Sequence, residues 1–209
     1  MSWSPNHPDS VDALFERRKA PVLALADDAR TVAEACHDMA RRFHRGGKLV
    51  VFGNGGPSTD AQHVAVEFVH PVIVGKRALP ALSLTADVAT VTGIANRVGL
   101  EGVFAHQLRI IGEPADIALG ISADGECANV RRALETARDL GMLTVALTGG
   151  NGGAIAATTG LGHVFIARSA DPRIVKEVHV TTYHVLWELV HVFFEHPGAL
   201  TRRWRRERR

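Results

Sequence analysis

The sequence places His63 and Glu67 four residues apart in Ala61-Gln62-His63-Val64-Ala65-Val66-Glu67, on one face of a predicted helix. An imidazole and a carboxylate so spaced can share a metal ion or act as acid and base on one substrate. Spacing alone describes a surface pair equally well, and the loop before them favours a functional role. That loop, Gly53-Asn54-Gly55-Gly56-Pro57-Ser58-Thr59-Asp60, follows an apolar run at Leu49–Phe52 and feeds the same helix. Ser122-Ala123-Asp124-Gly125 and Thr148-Gly149-Gly150-Asn151-Gly152-Gly153 follow later apolar runs in the same way. In open parallel sheets ligands bind at the carboxyl ends of strands, where glycines admit a phosphate, hydroxyls add donors and helix N-termini attract anions. None of the three loops has the Lys-Ser/Thr of a P-loop or the spacing of a dinucleotide fingerprint. A small phosphorylated ligand therefore fits better than a nucleotide. His179, His184 and His191 fall in a C-terminal apolar helical pattern, where a lone histidine is more often a hydrogen-bonded core residue; His191 is read that way.

The elements that must position these groups alternate. Residues 9–45 predict an N-terminal helical pair, with Pro21 interrupting the pattern and Gly46-Gly47 stopping it. Apolar runs at Leu49–Phe52, Ala81–Leu84, Ile117–Ile121, Thr144–Leu147 and His163–Ile166 then alternate with helical stretches. That order indicates an α/β fold with a parallel sheet covered by helices on both faces. A last helix is expected over Pro172–Glu195. Its apolar stripe is wider than one neighbour needs, so this helix and the N-terminal pair are candidates for a subunit interface.

A chain of 209 residues, 46% hydrophobic and 22% charged, fits a single domain. We expect that domain over residues 1–200, followed by a basic tail, 201–209. The net charge of +2 arises in this tail, which holds six of the 24 basic and one of the 22 acidic residues; the remainder carries 18 against 21, or −3. A mildly acidic body does not suit a nucleic-acid-binding domain, and the tail reads as a solvated terminus. The apolar runs are too short to span a bilayer. Met1 to Pro8 contains neither a basic start nor an apolar signal stretch, so a reducing, cytoplasmic location is expected. Cys36 and Cys127 are read as ordinary thiols.

Gly53-Asn54-Gly55-Gly56 followed by Asp60-Ala61-Gln62-His63 and Glu67 resembles the phosphoheptose isomerases, members of the sugar isomerase (SIS) type. Thr92-Gly93-Ile94-Ala95-Asn96, Val103-Phe104-Ala105-His106-Gln107-Leu108, Gly120-Ile121-Ser122, Leu147-Thr148-Gly149 with Gly152-Gly153, and Glu177-Val178-His179 with His184 continue the resemblance in order. It implies a five-stranded parallel sheet in a three-layer sandwich, and a homotetramer with active sites between subunits. It also implies ketose–aldose isomerisation of a sugar phosphate such as sedoheptulose 7-phosphate, through an enediolate and without a redox cofactor. Glu67 would be the base and His184 its partner. A zinc ion would be held by His63, Glu67 and His184 with help from a glutamine. Asn54, Gly55, Gly56, Ser58, Thr59, Asn96 and Ser122 would meet the substrate, and Arg97, Asp124 and Lys176, where this chain departs from the family, are expected there too, Arg97 or Lys176 taking over anion binding for a related sugar phosphate.

The chain departs from this pattern near the site. The family's Ser-Thr-Ser-Gly-Asn-Ser phosphate loop is Ser122-Ala123-Asp124-Gly125-Glu126-Cys127 here, trading hydroxyls for carboxylates that repel phosphate. Asp124 is expected to cap a helix beginning near Gly125. Pro57 replaces a serine that Ser58 and Thr59 can stand in for, and Arg97 replaces an aspartate. Lys176 falls where the metal-binding glutamine belongs, and an ammonium group cannot coordinate zinc; a one-residue shift puts Glu177 there, so the zinc expectation stays open. The alternative is a non-catalytic SIS-fold module that senses a sugar phosphate or docks a partner, similar to the replication-initiation adaptors. Retention of His63, Glu67 and His184 together favours the enzyme.

Overall fold

The structure is a computed structural model that describes residues 10–196 and Gly198; the basic tail lies outside the described residues. Every residue of β1 (Leu49–Gly53), β3 (Ile117–Ile121) and β4 (Leu143–Gly149) is buried, while β2 (Ala81–Ser83) and β5 (His163–Ala167) are partly exposed. The strands pair in parallel in the order β2-β1-β3-β4-β5, so the two less buried strands form the edges. Strands covered on both faces read as unbroken apolar runs, which is why the sequence marks them.

Alternate residues along β1 divide between two cores. Leu49 and Val51 pack with α2 (Ala29–His44), α3 (Gly56–Val69) and α8 (Pro172–Glu195). Val50 and Phe52 pack with α5 (Val103–Ile111) and α6 (Ala128–Asp139). The result is the expected three-layer sandwich. α1 (Val11–Asp27), α4 (Val88–Val98) and the four-residue α7 (Gly153–Ala156) complete the helices, with a 3₁₀ turn at Leu100–Gly102. Side chains start several of them: Ser10 accepts from Ala13 N–H at 3.3 Å, Asp87 from Ala89 N–H at 3.0 Å, and Asp171 from Arg173 N–H at 3.0 Å ahead of Pro172.

Two helical expectations are corrected. Pro21 sits inside α1 and does not interrupt it, although a proline has no N–H to donate; the break falls at Asp28, whose N–H turns back to Leu25 O and Ala26 O. The stripe of α8 is largely covered within the chain, with Tyr183, Leu186, Trp187 and Val190 buried in the core shared with α2 and α3 and Val178 buried with Ala167 of β5. Apart from Val192 of α8, exposed apolar side chains lie elsewhere, among them Val11, Phe15 and Leu23 of α1 and Val72, Ile73 and Val74 after α3.

The chain steps outward from β1 to β2 and returns to β3 on the other side of β1. Loops leaving β1 and β3 therefore diverge and open a crevice at the carboxyl edge of the sheet. Asn54 and Asn129 clamp it by exchanging amide hydrogen bonds of 2.6 and 3.0 Å.

Candidate active site

α3 begins at this crevice and lies beside α8, and their contacts ascend together in sequence. Lys176 Nζ donates to Asp60 Oδ1 at 2.7 Å, Tyr183 Oη meets His63 Nδ1 at 2.8 Å, and Trp187 Nε1–H donates to the Glu67 carbonyl at 2.8 Å. His191 lies near the Phe68 ring further along. Two helices whose partners rise in step run parallel, so both carry their side chains away from the carboxyl edge in register.

This seam assembles the chemistry. His63, Glu67 and His184 each offer a ligand atom, and all three atoms lie within 4.8 Å of one another. His63 Nε2 is 3.2 Å from Glu67 Oε1, and the His63 and His184 ring centroids are 5.2 Å apart. His63 and Glu67 are half-buried and His184 is exposed, so the cluster opens to solvent on one side. Two imidazole nitrogens and a carboxylate oxygen form a possible metal-binding arrangement. Burial, then the charges of Asp60 and Glu67, push the Tyr183 phenol well above its ordinary range. Burial also lowers His179, whose Nε2 lies 2.9 Å from the Thr148 carbonyl.

The remaining expected residues divide by location. Asn54, Gly55, Gly56, Ser58 and Thr59 lie at the start of α3, with Gly55 at φ +62° and Pro57 in the first turn. The Ser58 hydroxyl donates to Gly55 O at 2.6 Å and that of Thr59 to Gly56 O at 2.7 Å, while Asn54 is held by Asn129. Lys176 reaches the same turn but is paired with Asp60, which is only 4% exposed. Asn96 and Arg97 stand on α4 in the opposite layer, exposed, and neither side chain bonds another described residue. Arg97 lines a cleft with Leu82, Ile94, His106 and Gln107.

The loop after β3 differs from expectation. α6 starts at Ala128 and not near Gly125, and its N-cap Cys127 makes no side-chain cap. The Asp124 carboxylate turns back on its own loop: Oδ1 accepts from Glu126 N–H at 2.9 Å and from the buried Ser122 hydroxyl at 3.2 Å. Gly125 then turns the chain at φ +78°, with Ile155 N–H on its carbonyl at 3.0 Å. A side chain there would collide with the Gly152 carbonyl, so glycines of the second and third loops serve their mutual packing.

Tyr183 and Asp60 are the site neighbours that periodicity hid. Tyr183 reads as one more apolar position of the α8 stripe; its signal is that it is the sole tyrosine of the chain and, once buried, needs a hydroxyl partner.

The SIS domain family matches residues 17–149. The phosphoheptose isomerase of Desulfovibrio desulfuricans is 42% identical over 179 residues, 84% of this chain and 83% of that protein. That of Aquifex aeolicus is 39% identical over 183 residues, 87% and 95% respectively. Among solved structures, the phosphoheptose isomerase of Neisseria gonorrhoeae superposes with a TM-score of 0.79 at 30% identity, covering 86% of this chain and 96% of that one. The enzyme from Francisella tularensis gives 0.77 at 31%, covering 87% and 98%. With the fold, the parallel seam and similarity over most of both chains in agreement, the chain belongs to the phosphoheptose isomerase family of SIS-domain proteins.

Proposed function

We propose that the chain is a ketose–aldose isomerase of a phosphorylated sugar, with sedoheptulose 7-phosphate the substrate favoured by its relatives. The observation that carries this reading is the convergence of His63, Glu67 and His184 beside the crevice at the β1 and β3 ends. Such an isomerisation removes a proton from the carbon next to the ketone and returns a proton to the former carbonyl carbon, through an enediolate. Glu67 is the base, because a carboxylate facing an open cluster can take a carbon-bound proton and give it back. His184, exposed on the same side, serves the oxygen whose charge changes as the double bond shifts. His63 holds the Glu67 carboxylate through the 3.2 Å contact at Nε2.

The residues suit zinc: two imidazoles and one carboxylate form a three-ligand set with room for substrate. Bound there, the ion would supply a Lewis acid for the sugar's oxygens. Lys176 does not join this set, since its ammonium group is paired with Asp60 at the start of α3; it puts positive charge where an anionic sugar phosphate enters. The turn holding Asn54, Gly55, Gly56, Ser58 and Thr59 and the loop at Ser122 and Asp124 flank that entry, whereas Asn96 and Arg97 belong to the cleft on α4. We place the enzyme in the cytoplasm as a homotetramer, with the exposed apolar residues of α1 and the segment after α3 as contact surfaces. No described helix is long and apolar enough to cross a membrane.

The test is incubation of the chain with sedoheptulose 7-phosphate and a panel of other ketose phosphates, following aldose formation by proton NMR. Aldose formation that disappears in Glu67→Gln supports the reading. A folded protein that turns over none of them overturns it and leaves the non-catalytic sensor or partner-binding module in its place.

A further inference from the structure

The Tyr183 hydroxyl has one partner among the described residues, Nδ1 of His63 at 2.8 Å. The opposite ring nitrogen, Nε2, faces Glu67 Oε1. A carboxylate only accepts, so this contact needs the proton of a neutral His63 ring on Nε2, leaving Nδ1 as a lone pair that accepts from the phenol O–H. If Nε2 instead gives its lone pair to a metal, the ring proton moves to Nδ1 and the phenol oxygen becomes the acceptor. A hydroxyl can play both parts; a backbone carbonyl could play only the second and a phenylalanine neither.

Packing fixes the hydroxyl where it is needed. Tyr183 is 2% exposed, and its ring stands edge-on to both histidines, with centroids 5.4 Å from His63 and 4.9 Å from His184. It follows His63 by 120 positions in sequence, so the contact is made by the α3–α8 seam and not by a local turn. Without the hydroxyl, Glu67 alone is left to orient the imidazole, and a flip of the ring would put a carbon where Nε2 now meets the carboxylate.

We infer that Tyr183 is the positioning residue of the site, holding the His63 ring with Nε2 toward Glu67 and matching either placement of the ring proton through one hydroxyl. This rests on the reading of His63, Glu67 and His184 as the reactive cluster. The substitution Tyr183→Phe keeps the ring and its packing and removes only the hydroxyl. In nitrogen-15-labelled, metal-free full-length protein at about pH 8, where an ordinary imidazole is neutral, the His63 signals are assigned through their loss in His63→Gln. The Nδ1 resonance is expected to move in Tyr183→Phe to the position of an imidazole nitrogen without a donor. An Nδ1 resonance that stays put overturns the inference, whatever the turnover. Affinity for zinc alone, measured by competition with a chromogenic chelator, should weaken about 10- to 100-fold. kcat should fall by a similar factor with KM held, since the buried ring does not touch solvent; an unchanged kcat beside a parent that is active also overturns it. A parent inactive on every ketose phosphate removes the isomerase reading alone, because the Nδ1 resonance is read without turnover.

Discussion

Lys176 holds its ammonium group 2.7 Å from the Asp60 carboxylate, joining the start of α8 to the first turns of α3. The aspartate is buried and the lysine about half exposed, so the pair is unequal: removing the cation strands a desolvated anion. Lys176→Gln is expected to cost about 1–3 kcal/mol of stability, and adding Asp60→Asn to restore most of it. Urea denaturation of the two single variants and the double variant measures this. Strictly additive losses would show that the pairing is not what stabilises the seam.

Glu67→Gln preserves shape and removes proton affinity. Turnover should fall at least about a hundredfold, with ligand binding largely kept. His184→Ala should fall similarly. His191→Ala serves as the contrast: its nitrogens face the Trp187 and Arg77 carbonyls at 2.8 and 2.9 Å deep in the core. Its loss should cost about 1–3 kcal/mol of stability with kcat retained, as steady-state kinetics and thermal melts will report.

The loop after β3 carries its own anion. Because Asp124 already takes the Glu126 N–H and the Ser122 hydroxyl, it competes with an incoming phosphate for those donors. The double substitution Asp124→Ser, Glu126→Asn should tighten binding of sedoheptulose 7-phosphate about tenfold at low salt, the equivalent of one charge-assisted hydrogen bond. The gain should shrink as salt rises. Calorimetry giving equal affinities at low salt would mean that the ligand does not use this loop.

His179 is buried with its ring nitrogen donating to the Thr148 carbonyl, and burial lowers its folded-state proton affinity. The unfolded chain then binds the proton more readily. Stability due to this group is complete above the ordinary histidine range, near about pH 6.5, and declines as the pH falls below it. His179→Gln keeps a donor for Thr148 without the titration. Its denaturation midpoint should therefore vary less between about pH 7 and pH 5 than the parent's; identical pH profiles would contradict this.

Much of the fold is legible because each layer imposes its own period. The five strands and the limits of α8 stand out as unbroken apolar runs and as a Pro-started stripe, and His63 and Glu67 share a face by spacing alone. What spacing cannot reveal is which neighbour a face meets. Tyr183 looked like core because its ring is core, while its hydroxyl answers to a histidine 120 residues earlier. The α8 stripe suggested a second subunit, yet α2 and α3 of the same chain cover it. Asp124 has the composition of a helix cap, but Gly125 turns the backbone before the helix begins, and the carboxylate closes a smaller turn instead.

The parallel seam of α3 and α8 also sets an order of assembly during synthesis. His63 and Glu67 leave the ribosome early, but His184, Tyr183 and the lysine that neutralises Asp60 belong to the last described helix. Until that helix emerges, His63 and Glu67 lack His184 beside them, Asp60 has no counter-charge from Lys176, and the core beneath α2 lacks Leu186, Trp187 and Val190. A nascent chain halted short of α8 is thus unable to display a partly working site. The helix that closes the core beneath α2 is the same one that brings His184 and Tyr183 to His63 and Glu67.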